Sequence, residues 1–217
     1  MKNITKKIIC NGIENNIDPM MISYDFQRRQ NSLIYLRSID TTKQKIEINF
    51  FSNPSYHSGA MAHIYPLLSV YYPKVNEVAN KIFGDIRLIE NMKNKTINQP
   101  IQLGYDHCER WMLMDDNEID KMAVNISFFL ETNTIPFLNE LKSVDGFIKQ
   151  YEMKDKRLFM DDVKYMFIIS AYVVQGDWIK GQEVLVKRFG KPGARKQYAS
   201  AFYYFENILK SNAEYIL

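Results

Sequence analysis

The stretch NSLIYLRSIDTTKQKIEINFF, residues 31–51, decides the fold of this chain. In its second part, QKIEINFF, apolar and polar residues alternate, which places Ile46, Ile48 and Phe50 on one face. A period of two is typical of a strand that buries one face. The first part, residues 31–38, is rich in branched and aromatic residues, and the polar letters IDTTKQ join the two parts. The sequence therefore predicts a β-hairpin.

The residues after the hairpin extend the sheet and then leave it. Residues 61–72 predict a third strand. Pro66 within them has no N–H to donate, so we expect this strand to lie at a sheet edge or to be interrupted. A helix is predicted over residues 73–83, because Pro73 suits a first helical turn and Gly84 suits a helix end.

The other parts of the first half have weaker patterns. Residues 91–100 are polar and typical of a loop, whereas residues 101–105 and 110–114 predict a further hairpin. Residues 1–19 are left unassigned, because Gly12 weakens the helix that the neighbouring residues would allow. The expected antiparallel sheet therefore has about four strands, which is a common size.

The second half of the chain has helical periodicity. Ile119, Ala123 and Ile126 recur at the three-and-four spacing of one helix face. Helices are predicted over residues 115–131, 134–141, 161–176, 178–189 and 194–209. Strands followed by helices indicate an α+β fold, with the antiparallel sheet first and a helical half after it. We expect a mainly β subdomain with one helix over residues 1–115 and a helical subdomain over residues 116–217, packed together as one unit.

Composition limits the classes of protein to consider. The chain has 217 residues and a formal net charge of +3, from 28 basic and 25 acidic residues, which favours neither a nucleic-acid-coating protein nor a strongly acidic one. Its two cysteines are too few for a disulfide scaffold. The longest apolar run, residues 165–174, is much shorter than the ~20 residues that a membrane span needs. We therefore expect a cytoplasmic protein with no membrane partner.

Histidines and cysteines could supply a metal or catalytic site, but their spacing is unfavourable. A zinc site needs three or four converging ligands. His57 lies in a turn-like stretch and His63 in the third strand, whereas His107 and Cys108 are adjacent and would point to opposite faces of an extended segment. No nucleophile-elbow, zincin or CxxC motif is present. We expect no metal and no cofactor, and an enzyme whose polar residues converge from separate elements stays an open alternative.

A basic stretch, KRFGKPGARKQ at residues 187–197, is the clearest candidate for binding an anion. It contains no acidic residue, and the residues that would bind are Lys187, Arg188, Lys191, Gly193, Arg195 and Lys196. Backbone N–H groups at a helix start and basic side chains can together hold a phosphate. A helix C-terminus followed by a solvated basic loop explains the same residues without a ligand. Binding of nucleic acid or phosphate by an accessory protein is therefore the alternative function.

Aromatic residues exceed what one buried stripe requires. Tyr203 and Tyr204 lie partly off the apolar stripe of the last predicted helix. His63 and Tyr65 share one face of the third strand, which is a candidate contact surface if that face is open. Aromatic residues outside the core are enriched at protein interfaces. We therefore expect a non-enzymatic, intracellular protein-binding module that contacts an unidentified protein through these four residues.

Three stretches form a further pattern that extends discontinuously from Tyr24 to Tyr151, namely YDFQRRQNSLIYLRSIDTTKQKIEINFF, HIYPLLSVYYP and IPFLNELKS. They resemble a bacterial family of unknown function that includes immunity-like proteins found near toxins. The resemblance implies an N-terminal antiparallel sheet, C-terminal helices and a protein partner, and it supplies no catalytic residues. The helical extension from about Asp161 onward departs from the family pattern. On this resemblance, we expect the protein-binding module to be of the immunity type.

Overall fold

The computed structural model describes residues 2–106 and 110–214, with side chains over residues 5–106 and 110–208. His107 and Cys108 lie outside the described residues, and so do the predictions made for them. The helices are α1 (Lys2–Ser23), α2 (Pro73–Phe83), α3 (Arg87–Glu90), α4 (Ile119–Phe129), α5 (Ile135–Glu140), α6 (Val144–Glu152), α7 (Asp162–Val174), α8 (Trp178–Phe189), α9 (Pro192–Gln197) and α10 (Ala199–Glu214). The strands are β1 (Gln27–Arg28), β2 (Ile34–Ile39), β3 (Thr42–Ser52), β4 (Ala62–Tyr71), β5 (Ile97–Pro100) and β6 (Trp111–Leu113).

The predicted hairpin is confirmed. β2 and β3 pair antiparallel with Ile39 opposite Thr42, so that Asp40 and Thr41 form the turn between them. Asp40 has a φ of 50°, a left-handed conformation that aspartate tolerates better than most residues. Strands β1 to β5 lie side by side in chain order, and β6 pairs with β4. The predicted α+β class is confirmed, and the short strands β1, β5 and β6 extend the described sheet beyond the expected four strands.

β4 is an interior strand, so the expectation of a sheet edge is wrong for it. β3 and β5 are its neighbours, and β6 pairs with its first residues, from Ala62 to Ile64. Ile101 N donates a hydrogen bond of 3.2 Å to Pro66 O, beyond the last residue that β6 pairs. Pro66 therefore lies where the pairing of β4 passes from β6 to β5. Because the pairing is interrupted at this point, the missing N–H of the proline is tolerated.

The second predicted hairpin is wrong. β5 falls inside the stretch predicted as a loop, and residues 101–104 form turns instead of a strand. β6 lies within the predicted 110–114 strand, but it pairs with β4. The polar residues of β5 favoured a loop in the sequence analysis, but they are used inside the fold. Gln99 is buried, and Ser69 Oγ donates a 2.8 Å hydrogen bond to Asn98 Oδ1. Polar side chains that suggest a loop are here used within the sheet.

Helix α1 occupies the N-terminal stretch that the sequence left unassigned. A fully buried stripe recurs at every fourth residue and consists of Ile9, Ile13, Ile17 and Met21. Gly12 faces α4, where an added Cβ would come within 2.5 Å of Ile119 Cγ1. The glycine that weakens the helix by its propensity therefore allows two helices to approach closely.

The helices predicted over residues 115–131 and 134–141 form one continuous helical run. A 3-10 turn at Asp116–Glu118 leads into α4. A π-helical turn, Leu130–Thr134, joins α4 to α5. Pro136 lies in the first turn of α5, directly after the wider π turn, so the chain passes this proline without ending the helix.

The chain divides into two compact units, and their limits differ from the predicted boundary at residue 115. Unit 1 contains Met1–Val70 and Asn98–Lys142, and unit 2 contains Tyr71–Ile97 and Ser143–Leu217. In unit 1, α1 packs against α4, whereas in unit 2 α7 packs against both α2 and α8. The sheet therefore shares a unit with the first helices of the helical half, and α2 belongs with the C-terminal helices. The expectation that the two parts pack as one unit stays a prediction.

Three helices of unit 2 begin at side-chain caps. Ser143, Asp161 and Asp177 accept hydrogen bonds from the N–H of the third residue of α6, α7 and α8, respectively. The sequence predicted α7 and α8 and did not assign α6. The last predicted helix, residues 194–209, is broken at Tyr198 into α9 and α10. Of the helices in the described ranges, none has the length and apolar character that crossing a membrane requires.

Candidate functional site

One face of the sheet in unit 1 carries a contiguous group of rings. Phe51 on β3 stacks on Tyr65 of β4, with ring centroids 4.5 Å apart and planes at 12°. The His63 ring lies 5.8 Å from Tyr65 and meets Tyr56 edge-on at 5.8 Å. These four residues are called the aromatic cluster below. Phe51 is 53% exposed and Tyr56 is 57% exposed, so the cluster is open to solvent.

The pleat of the strands turns these rings outward. On β3, Ile48 is buried, whereas Phe51 has the opposite parity and faces solvent. On β4, the fully buried Ile64 lies between His63 and Tyr65, which are both half-exposed. His63 and Tyr65 therefore share a face, as the period of the strand predicts, and that face is partly open.

Sequence reasoning missed Phe51 and Tyr56. The signal for Phe51 is the doubled FF at positions 50 and 51, because neighbouring residues of a strand point to opposite faces. Tyr56 lies in the loop between β3 and β4, where no periodicity applies. Its position depends on a hydrogen bond between its hydroxyl and Nδ1 of His63, which only the fold reveals.

His63 is biased toward the neutral imidazole. Burial lowers the pKa of His63, and the positive charge of Arg110 lowers it further. In the neutral tautomer that carries its proton on Nε2, Nδ1 accepts the hydrogen bond from the Tyr56 hydroxyl. In the imidazolium, Nδ1–H donates to the hydroxyl oxygen instead, so acidification adds a charge to the aromatic cluster and reverses the direction of one hydrogen bond.

Positive charge lies on the face that carries the cluster. Lys45 and Glu47, both on the outward side of β3, form an ion pair of 2.7 Å and neutralise each other. Lys43 on the same side of β3 is exposed, and so is Arg110 just before β6. Neither has an ion-pair partner within the described ranges. The face is therefore apolar at its rings and carries two uncompensated cations.

Tyr203 and Tyr204 lie in unit 2, on α10. Tyr203 is 66% exposed, whereas Tyr204 is half-buried against Trp178 at a centroid distance of 6.4 Å. Burial raises the pKa of Tyr204, in keeping with a partial packing role. The four residues predicted to contact a protein thus belong to two units, since His63 and Tyr65 lie in unit 1.

The basic stretch KRFGKPGARKQ contains cations that are already paired. Arg188 forms a 2.7 Å ion pair with Asp162, and Arg195 forms one of 3.5 Å with Glu206. Gly193 lies in α9, where an added Cβ would meet nothing within 4 Å. α9 has only six residues, so its N-terminus contributes a weak dipole.

The remaining cations of this stretch do not converge on one point. Lys187 lines a cleft in unit 2, whereas Lys196 lines a separate groove of about 540 Å³. Lys191 precedes α9 and makes no side-chain cap to it. The six residues predicted to bind an anion are therefore divided between two places on unit 2.

A cleft of about 710 Å³ in unit 1 was not foreseen from the sequence. Arg28 within it pairs with Glu14 at 2.8 Å and with Asp18 at 2.9 Å. The Tyr35 hydroxyl donates a 2.6 Å hydrogen bond to Asp18 Oδ1. These groups satisfy one another and connect α1 to strands β1 and β2, so we assign them a structural role.

The other face of the sheet contains a buried cation. Arg37, only 8% exposed, donates hydrogen bonds to Gln44 Oε1 at 2.6 and 3.0 Å and to Asn139 Oδ1 at 2.9 Å. Its guanidinium lies 4.5 Å from the centroid of the Phe26 ring, and Gln44 in turn donates to Leu138 O at 2.6 Å. Burial lowers the pKa of Arg37. This network connects the sheet to α5 through neutral hydrogen-bond partners.

Within the described residues, no group of three or more His, Cys, Asp or Glu side chains could hold a metal ion. Cys10 on α1 is a free, half-buried cysteine. Burial raises the pKa of its thiol, and the nearby Glu14 raises it further. The thiolate is therefore disfavoured, which does not suit a nucleophile.

Comparison of the chain with protein-family models, with curated proteins and with solved structures gave no match. The resemblance to an immunity-like bacterial family therefore stays a prediction, and the functional reasoning depends on the geometry.

Proposed function

We propose that the chain is a non-enzymatic, intracellular protein-binding module of bacterial origin that holds its partner on the aromatic cluster. The observation that supports this proposal is the group of contiguous, exposed rings on a preformed sheet, with Phe51 stacked on Tyr65. Large aromatic side chains contribute much of the binding energy at protein interfaces. Because these rings already contact one another, a partner loses little free energy in ordering them.

The charges on this face define the chemistry of the partner. Lys43 and Arg110 are exposed and uncompensated within the described residues, whereas Glu47 is neutralised by Lys45. A complementary surface has apolar groups opposite the rings and carboxylates opposite the two cations. We therefore infer an acidic protein as the partner.

The resemblance found in the sequence suggests an immunity-type function, in which the partner is a toxin encoded beside this chain. Such a pair must associate quickly, and charge complementarity raises association rates. A free, half-buried Cys10 fits the reducing cytoplasm in which an immunity protein would act.

Site-specific photo-crosslinking tests the binding surface. A benzoyl-phenylalanine replaces Phe51, and in the matched control it replaces Phe128, which is 64% exposed on α4 and lies outside the cluster. In cells of the native host, we expect position 51 to capture one acidic protein that position 128 does not capture. Loss of the adduct at position 51, the same adducts at both positions, or an adduct between two copies of this chain would contradict the proposal.

A rescue experiment tests the immunity type. Each open reading frame next to this gene is expressed alone and together with this chain, and growth is measured. We expect one neighbour to be toxic and the chain to restore growth. The double variant Phe51→Ala/Tyr65→Ala should lose rescue, whereas Phe128→Ala should retain it, because only the former removes rings of the cluster. If the double variant still restores growth, the immunity function does not depend on the aromatic cluster.

The alternative, an accessory protein that binds nucleic acid or phosphate through residues 187–197, also stays a prediction. Arg195 and Lys196 line a common groove, which gives it a defined test. Filter binding at low salt should show retained nucleic acid that the charge reversals Arg195→Glu and Lys196→Glu abolish. Absence of retained single- or double-stranded nucleic acid would remove this alternative.

A further inference from the structure

A cleft in unit 2 combines positive charge with tyrosine rings. It has a volume of about 390 Å³, and Tyr151 and Tyr165 meet in it edge to face at 6.1 Å. Lys154 and Lys187 also line it. A second hollow of about 280 Å³ shares Tyr151, Lys154 and Tyr165 with the first, so the two are adjoining lobes of one cleft. The first is called the basic lobe and the second the amide lobe.

The basic lobe has uncompensated positive charge. Arg188 lies 4.8 Å from the centroid of the Tyr165 ring and is paired with Asp162 at 2.7 Å, so its guanidinium is fixed and largely neutralised. Lys154 and Lys187 are exposed, and neither has an ion-pair partner in the described part of the chain. Two ammonium groups at one cleft favour an anion with more than one negative charge.

The other polar groups of the basic lobe are compatible with an anion. Glu152 at its edge accepts hydrogen bonds from the Lys180 ammonium at 3.1 Å, which offsets part of its charge, and from the Tyr172 hydroxyl at 3.0 Å. The hydroxyls of Tyr151 and Tyr165 have no hydrogen-bond partner among the residues that the structure describes. Each can donate a hydrogen bond to a ligand oxygen.

The amide lobe contains a polar side chain without a hydrogen-bond partner among the described residues. Gln150 on α6 is only 4% exposed and lines this lobe, and within the described ranges its side-chain amide makes no hydrogen bond. Leu158 and Met160 supply apolar walls. Asp155 also lines the lobe, but Arg157 holds its carboxylate at 2.6 Å. The amide of this largely buried residue therefore reaches the solvent of the lobe, where water or a ligand can take up its hydrogen bonds.

We propose that this cleft binds a nucleoside monophosphate, with the phosphate in the basic lobe and the base in the amide lobe. The phosphate dianion accepts charge-assisted hydrogen bonds from Lys154 and Lys187. The Gln150 amide offers one acceptor and two donors to the edge of a base, and Tyr151 offers a ring for the base to contact. The basic lobe, of about 390 Å³, has the size of a small-molecule site, which begins at about 300 Å³, and the amide lobe adjoins it with about 280 Å³. This site is independent of the aromatic cluster, because it lies in the other unit and takes another class of ligand.

Calorimetric titration of the full chain with AMP, adenosine and inorganic phosphate tests the proposal. We expect AMP to bind with a Kd of about 1 mM or tighter. Adenosine and phosphate each satisfy one lobe only, so each should bind at least about tenfold more weakly than AMP. Absence of AMP binding, or phosphate binding as tightly as AMP, would overturn the proposal.

Matched variants locate the site. Lys187→Glu should weaken AMP binding about tenfold or more, because it reverses a charge in the basic lobe. Lys196→Glu makes the same change on an exposed lysine outside both lobes and should alter the Kd by less than about twofold. Gln150→Leu should weaken AMP binding and leave phosphate binding unchanged. Equal weakening by the two lysine variants would overturn the proposal, since it would indicate attraction by overall charge.

Discussion

The two faces of the sheet in unit 1 carry similar side chains that do different things. On the buried face, Arg37 donates hydrogen bonds to Gln44 and Asn139, and Tyr35 donates one to Asp18, all within unit 1. On the open face, the rings of the aromatic cluster contact one another and solvent. Buried polar groups are costly to leave without partners, whereas half-exposed groups can exchange protein for water. Stability should therefore depend on the first face and recognition on the second.

The largest expected effect is on the buried face, at Arg37. Arg37→Ala removes the donor for Gln44 Oε1, which stays buried without it, and for Oδ1 of the exposed Asn139. We expect the free energy of unfolding to fall by about 3 kcal/mol, the range for breaking a buried charged network. Urea unfolding followed by circular dichroism measures it.

Arg29→Ala is the matched control for Arg37, because Arg29 is an exposed arginine of the same unit. It should change the free energy of unfolding by less than about 0.5 kcal/mol. Equal losses for the two variants would mean that burial does not distinguish the faces, and the comparison would fail.

The sequence predicted those parts of unit 1 in which local pattern and tertiary environment agree. The β2–β3 hairpin was visible because burial of one face imposes a period of two. Helix α1 was missed because Gly12 has poor helix propensity, and the contact with Ile119 that requires a glycine is remote in sequence. β5 was missed because Asn98 and Gln99 are polar residues inside a sheet. In each case a tertiary contact outweighs the local preference.

The candidate sites follow the same rule. His63 and Tyr65 could be placed on one face from strand parity alone. Tyr56 could not, because its place in the aromatic cluster depends on the path of a loop. The cleft of unit 2 could not be predicted either, since Gln150 and Lys187 come from separate helices and neither lies in a recognisable motif.

The second prediction concerns the helix that packs on the buried side of the sheet. Gly12→Ala adds a Cβ within 2.5 Å of Ile119 Cγ1. Overpacking costs ~1–3 kcal/mol, which exceeds the ~1 kcal/mol that alanine contributes by helix propensity. We therefore expect a net loss of about 1 kcal/mol in the free energy of unfolding.

The sign of the Gly12→Ala effect should reverse when the space is opened. In an Ile119→Ala background, the added methyl no longer collides, so the same substitution should stabilise by up to about 1 kcal/mol. A double-mutant cycle by urea unfolding measures the coupling. If Gly12→Ala stabilises the wild-type background, α1 and α4 can move apart without loss in the free energy of unfolding, which would contradict the prediction.

The third prediction makes one chemical change on each face. Tyr35→Phe removes the hydroxyl that donates to Asp18 at 2.6 Å in a side chain that is 1% exposed. It should lower the free energy of unfolding by about 1 kcal/mol. Tyr65→Phe removes a hydroxyl on the open face and should change it by less than about 0.5 kcal/mol. Equal losses in the free energy of unfolding would show that a tyrosine hydroxyl contributes as much to stability on the open face as on the buried face.

The smallest expected effect is a pH dependence on the open face. The pKa of His63 is lowered from 6.5 in the folded protein, chiefly by burial, so the unfolded chain binds the proton more readily. The contribution of His63 to stability is therefore complete above pH ~6.5 and is lost as the pH falls through and below that value. His63→Asn should flatten the decline in thermal midpoint between about pH 7 and pH 5. A wild-type midpoint that rises on acidification, with a slope that His63→Asn abolishes, would reverse the assigned sign and show that the open face favours the imidazolium.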